Sequence, residues 1–254
     1  FGRGRFRLDA PIRIPAQVER LDFAFADLEA GPALHQRRDR GVLLVGDGPR
    51  PLLIERLFTM TGFHGPFRLI EHDGVRDLVL RDLHTQYCAL YANTIPGSRV
   101  FIDNCACTCE GHEDLPGFRF RGQRVWARQL NPERAHEQVV NDGGDLWVLG
   151  FKTENPSTAF LTRGGGRSEI LGGIFNQVRQ YHAGGATRPT VLNEDSSVSV
   201  SASTTDWKAN RSFEGPAHVL VREICGGQRR DLVWEVLPLR QQHLVTLPLY
   251  AGRS

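Results

Sequence analysis

Phe118-Arg-Phe120, Gly122 and Val125-Trp-Ala127 are followed by Gln138-Val-Val140, Gly143-Gly144 and Leu146-Trp-Val148, so that one unit is written twice in succession. Each unit is a short apolar strand, a glycine or polar turn, and a second apolar strand. Working outward, the same unit occurs at Phe67–Leu80, Cys88–Ile102, Ala159–Ile170 and Val191–Val200. Aligned on Arg76, Arg99, Arg124, Asp145 and Arg167, successive units are 23, 25, 21 and 22 residues apart. Short strands at a period of about 20–25 residues are the signature of a solenoid, in which each unit stacks on its neighbours to complete a core that no unit can close alone. The fixed leucine and asparagine frame of leucine-rich repeats is missing, and a propeller needs a longer period. The expected fold is all-β: a right-handed parallel β-helix with a β-hairpin cap at its C-terminal end.

Successive side chains of a strand point to opposite faces. Counted from the anchor, one set holds Val79, Val100, Ile102, Val125, Ala127, Leu146, Val148 and Ile170, with Asp77 as its one charged member. The other holds Leu78, Leu80, Phe101, Asp103, Trp126, Arg128, Trp147, Leu149, Glu169 and Leu171. Unpaired charge inside a narrow solenoid is costly, so the first set is expected to face in and the second out.

Both ends depart from this pattern. Residues 5–60 give shorter strands (Phe6–Leu8, Ile12–Ile14, Val42–Val45, Leu52–Ile54) between Pro and Gly turns. From Ala217, an apolar run, Gly226-Gly227 and Asp231–Glu235 read as a hairpin, and Leu244–Leu247 as a final strand. Coils are therefore expected over 1–206 and a cap over 207–254. The chain has a formal net charge of +2 with Arg scattered among Asp and Glu, which leaves no electrostatic footprint for nucleic acid. No run approaches 18 apolar residues, so no membrane insertion is expected. No phosphate-binding loop, dinucleotide fingerprint or nucleophile elbow occurs. Asn210-Arg-Ser212 is a formal glycosylation sequon.

The segment Gly143-Gly-Asp-Leu-Trp-Val-Leu-Gly-Phe-Lys-Thr-Glu154 with Thr162-Arg-Gly-Gly-Gly-Arg-Ser-Glu-Ile-Leu-Gly-Gly173 resembles the pectate-lyase-like superfamily, in particular its polygalacturonase-related bacterial branch. Arg3–Leu8 with Ile12–Pro15 is similar to the opening segment of those β-helices, and Val221–Gly227 and Leu247–Tyr250 to their closing strands. The Gly-Asp-Gly…Asp-Asp-Thr stretch usual in such proteins is missing. The resemblance implies an exported or cell-surface protein, with polysaccharide as partner and an extended carbohydrate groove along one face. It also covers non-catalytic adhesive and structural fibres.

Three constellations could carry chemistry. Phe101, Trp126 and Trp147 occupy one outward position in successive coils, with Arg99, Arg124, Arg128, Asp103, Asp145 and Glu169 beside them. Such a strip can pack the C–H faces of sugars while the flanking groups bind hydroxyls, or it can lie under a loop, another domain or a second subunit of an oligomer or filament. Glu133 and Glu154 fall at equivalent places in adjacent coils; with Asp103 and Asp145 they are the candidate acids of a lyase or glycoside hydrolase. A retaining glycosidase needs carboxylates about 5–5.5 Å apart, and solvated turn residues are the alternative. Cys105, Cys107 and Cys109 alternate, with Cys88 and His112 nearby. Cys107 aligns with His84 and Cys109 with Gln86, which favours a Cys88–Cys109 disulfide between coils over a metal site and, less strongly, over free thiols. No cofactor is expected, and calcium has no specific motif. His72, His84, His136 and Asp82 read as structural or solvated.

Overall fold

A computed structural model describes residues 2–59, 62–154, 157–176, 188–205, 219–233, 240–241 and 244–253. The 206/207 boundary, the Asn210 sequon and the outer parts of the expected hairpin (Ala217, Trp234, Glu235) lie outside the described residues. The chain is a parallel β-solenoid of about seven turns. It opens with β1 (Arg5–Leu8), β2 (Ile12–Ile14), β3 (Arg20–Asp22), β4 (Asp27–Ala30) and the single turn α1 (Pro32–His35). Two sheets then grow by alternation. One stacks β5 (Gly41–Val45), β7 (Arg68–His72), β9 (Ala89–Asn93), β11 (Phe118–Arg121), β13 (Glu137–Asp142), β15 (Thr158–Arg163), β17 (Val191–Glu194) and β19 (Val219–Cys225). The other stacks the longer β6 (Leu52–Phe58), β8 (Leu78–Gln86), β10 (Arg99–Thr108), β12 (Arg124–Glu133), β14 (Asp145–Glu154), β16 (Arg167–Asn176) and β18 (Ser197–Thr205). At the C-terminal end β20 (Gln228–Val233) forms an antiparallel hairpin with β19. After β21 (Arg240–Gln241), β22 (Leu244–Arg253) lies antiparallel on β18.

The core is a set of vertical columns. Leu52, Leu78, Val100, Val125 and Leu146 stand in register and are buried, and so do Ile54, Leu80, Ile102, Ala127, Val148 and Ile170. Each large aliphatic side chain so buried contributes about 1.5–3 kcal/mol. The expected facing is therefore right from Val100 onward and wrong one coil earlier. Leu78 and Leu80 face in, while Val79 is outside. Arg99 pairs with Asp77, not with Arg76, so the first interval is 22 residues. A one-residue slip turns every side chain of a strand over. Asp77 is thus no charge in the core: its carboxylate accepts from the Arg99 guanidinium one coil on. Arg76 is instead a buried turn residue, donating to the carbonyls of Arg50 and Val18 at 2.9 and 2.8 Å.

Each long strand bends once. Arg56, Asp82, Asn104, Gln129, Gly150 and Gly172 follow one another up the stack, all at positive φ between 51° and 76°. Asn and Asp tolerate this left-handed region, and glycine enters it at no steric cost. At the bend two successive residues, such as Asp103 and Asn104, point outward before Cys105 turns in. Two separate outward faces result, one upstream and one downstream of the column.

Candidate functional site: an aromatic groove on the upstream face

Phe101, Trp126 and Trp147 are paired in register on the upstream face. Phe101 and Trp126 stack with ring centroids 5.0 Å apart and planes 11° from parallel; for Trp126 and Trp147 the values are 5.1 Å and 8°. Near-parallel rings in contact at about 3.5–4.0 Å with such centroid separations are slipped sideways, the offset geometry that ring quadrupoles favour. Each ring therefore leaves part of its face uncovered. Val79 precedes the ladder and Glu169 follows it. Two residues further along each strand runs a second column, Arg81, Asp103, Arg128, Leu149 and Leu171. Between the two columns lies a groove of about 530 Å³ running across five coils, within the usual range of ligand sites.

Charges beside the groove largely answer one another. Arg128 donates to both Asp103 oxygens at 3.0 and 2.8 Å, and Arg81 lies 4.0 Å from the same carboxylate. On the other side of the ladder, Asp145 receives Arg167 at 3.1 Å and Arg124 at 3.8 Å. The Arg128 hydrogen bonds hold the Asp103 carboxyl below the usual carboxylate range against a smaller desolvation effect, and Arg99 does the same for Asp77. Asp103 is thereby kept as a carboxylate, the wrong state for a proton donor at neutral pH. Glu169 makes no ion pair among the described residues and closes the aromatic column with a free negative charge.

The other candidate acids lie elsewhere. Glu133 and Glu154 are neighbours in register, as expected, but on the face beyond the bend, and neither lines the groove. Lys152 bridges them, with Nζ 2.6 Å from Glu133 and also paired to Glu154. These salt bridges raise the Lys152 pKa, outweighing its partial burial. Removing the ammonium leaves two stacked carboxylates without an answer. We expect Lys152→Met to lower stability by about 1 kcal/mol, and Glu133→Gln in the same chain to restore it, as read from urea midpoints. Independent, additive losses would show that the three side chains are not coupled.

The thiols correct a further expectation. All five cysteines are free, so there is no Cys88–Cys109 disulfide. Cys105, Cys107 and Cys109 do share one side of β10 and its extension, but that side is the core, where Cys88 also lies. The alignment behind the disulfide carried the one-residue slip: Cys107 stands over Thr85, not His84. Burial raises the Cys88 and Cys107 thiols well above their ordinary value, and Cys105 to about 12. Such groups behave as small hydrophobes. Among the described residues no group of His, Cys, Asp and Glu is arranged to hold a metal ion, and no helix is long and apolar enough to cross a membrane.

Sequence reasoning missed Val79 and Arg81 as parts of the groove, while Leu149 and Leu171 lie on the outward face where it put them. For Val79 and Arg81 the signal was present but displaced by the slip at Arg76. Compared with known protein families, with curated proteins and with solved structures, the chain matches none.

Proposed function

We propose that this solenoid is a pectate-lyase-like β-helix whose upstream groove binds a polysaccharide lengthwise, outside the cell or at its surface. The observation that carries the reading is the unbroken ladder of three slipped, partly open aromatic rings along a groove spanning five coils. A glycan chain is long, has alternating apolar C–H patches and hydroxyls, and matches a strip of ring faces bordered by polar side chains. The motif resemblance around 143–173 supports the same ligand class. Because most flanking charges are paired within the chain, the groove suits a ligand with little charge. Binding is proposed rather than cleavage: Asp103 and Asp145 are tied to arginines, and Glu133 and Glu154 belong to another face. With the thiols free, placement outside the cell rests on the ligand class alone.

The test is glycan-array binding followed by titration of any hit against wild type and the Trp126→Ala/Trp147→Ala double variant. Buried aromatic anchors cost about 2 kcal/mol each on truncation, so affinity should fall at least ~100-fold. Equal binding by both proteins, or none by either, ends the proposal. A second reading has its own observation: Leu149 is 61% exposed and Leu249 64%. With Trp147 and Leu171 these offer apolar surface of the kind that marks subunit contacts. In that case wild type sediments as an oligomer and the double variant as a monomer.

A further inference from the structure

On the outer face of the other sheet, a hollow of about 250 Å³ opens between β7, β9 and β11. Two of its acids are already engaged. Glu71 accepts both forks of Arg40, at 2.9 and 3.1 Å, and the Gly41 amide at 2.6 Å. Asp39 pairs with Arg68, whose side chain is 2% exposed and also donates to the Pro116 carbonyl at 3.2 Å. Two more guanidinium groups reach the hollow from β11, those of Arg119 and Arg121. Being two residues apart on one strand, they share its outward face. Among the described residues no side-chain hydrogen bond or ion pair engages either. The hollow therefore holds four arginines against two acids, with both unanswered cations on the same side. Their crowding is felt within the protein: burial first, then the Arg119 charge, brings Arg68 down to about 10.

The space is there because of what lies one coil below. Arg119 stands over Ala92 in register, and Thr94 also lines the hollow. Larger side chains there would fill the floor. The hollow and the aromatic groove lie on different sheets.

We infer that Arg119 and Arg121, backed by the buried Arg68, form a binding site for a small oxyanion, a phosphate, sulfate or carboxylate group. Guanidinium forks suit such groups because paired N–H donors match paired oxygens. A bound anion would supply the missing negative charge and relieve the repulsion among three arginines. Binding to the folded state alone also raises its stability by linkage.

The experiment uses the whole chain, with chloride as background at constant ionic strength. Inorganic phosphate and a monosaccharide uronate are titrated separately by calorimetry and by thermal melting. Saturable binding with a rise in Tm is expected for at least one of them, and which one distinguishes a phosphoryl from a sugar-acid ligand. Arg119→Gln/Arg121→Gln should weaken binding at least about tenfold. Because neither side chain has an internal partner, this variant should melt no lower than wild type without ligand. Ala92→Leu keeps every arginine and should block binding by filling the floor. The inference fails if neither anion binds above the chloride background, or if both variants bind as wild type does.

Discussion

Asn141→Leu should cost this protein about 3–5 kcal/mol, a large share of the 5–15 kcal/mol that holds a typical domain together. Asn141 is 1% exposed and points into the solenoid at the end of β13. The two N–H groups of its amide are shared among the carbonyls of Gly144 and Arg167 and Ser168 Oγ, at 2.9–3.0 Å. Its oxygen accepts from the Gly144 amide at 3.1 Å. One side chain thus satisfies a turn in its own coil and the start of a strand in the next. Leucine keeps the branched skeleton and leaves no cavity, so the loss combines unmet polar groups with some overpacking. The Gly144 N–H is left buried and unmet, at about 1–3 kcal/mol, and the acceptors lose further bonds. Gly144 cannot retreat, because its Cα approaches the neighbouring turn so closely that an added Cβ would lie 2.3 Å from the Gln123 carbonyl oxygen. Urea denaturation of wild type and variant gives the difference directly. A loss below about 1 kcal/mol would show that these polar atoms find other partners.

That asparagine belongs to a column no periodicity argument could find. His72 and Asn93, and further up Asn141, Thr162 and Asn193, occupy equivalent inward places. Asn93 donates to the carbonyls of Ile95 and Arg121, and Asn193 to that of Ser196. In one sequence, with the rule that polar residues avoid cores, each reads as a turn residue at a strand end. Only the stack reveals that a turn bends over the open interior, where its carbonyls need donors from within. The period, by contrast, was legible because hydrophobic parity survives in every coil from Val100 on. The ladder was legible for the same reason: Phe101, Trp126 and Trp147 sit at one offset from charged anchors, and register converts equal offset into contact. The bend column was not. Asp82, Asn104 and Gln129 look like ordinary strand residues, and their left-handed backbone alone separates the acid pair from the aromatic face. One anchor was misplaced by a residue. Arg76 resembled Arg99 in type, but charge complementarity put Asp77 beside it.

Lowering the pH from 6.5 to 4 should remove about 3 kcal/mol of stability through a single side chain, His72. Its ring is fully buried; Nδ1 shares a 3.0 Å hydrogen bond with the Tyr91 hydroxyl, which takes a further bond at 2.9 Å from the Gln123 amide. Gln123 also donates to Ser98 Oγ at 2.5 Å. Burial disfavours the imidazolium and brings the His72 pKa from 6.5 down to about 4, although Asp73 and Asp47 pull upward; Arg76 pushes the same way as burial. The unfolded chain then binds a proton that the fold refuses. Stability is complete above about 6.5, falls as the pH drops toward 4, and loses no more from this group below that, where both states are charged. A gap of some 2.5 units at 1.36 kcal/mol each sets the size. His84 and His112 are also lowered by burial and add slopes of the same sign. The carboxylates held down by arginine, Asp77 and Asp103 among them, act at lower pH. His72→Gln, neutral throughout, separates the contributions. Its stability at pH 7 should be lower than wild type because the Tyr91 contact is altered, yet its decline between pH 6.5 and 4 should be shallower by about 3 kcal/mol. Parallel curves for the two proteins across that interval would mean that the buried imidazole accepts its proton as readily as it does in water.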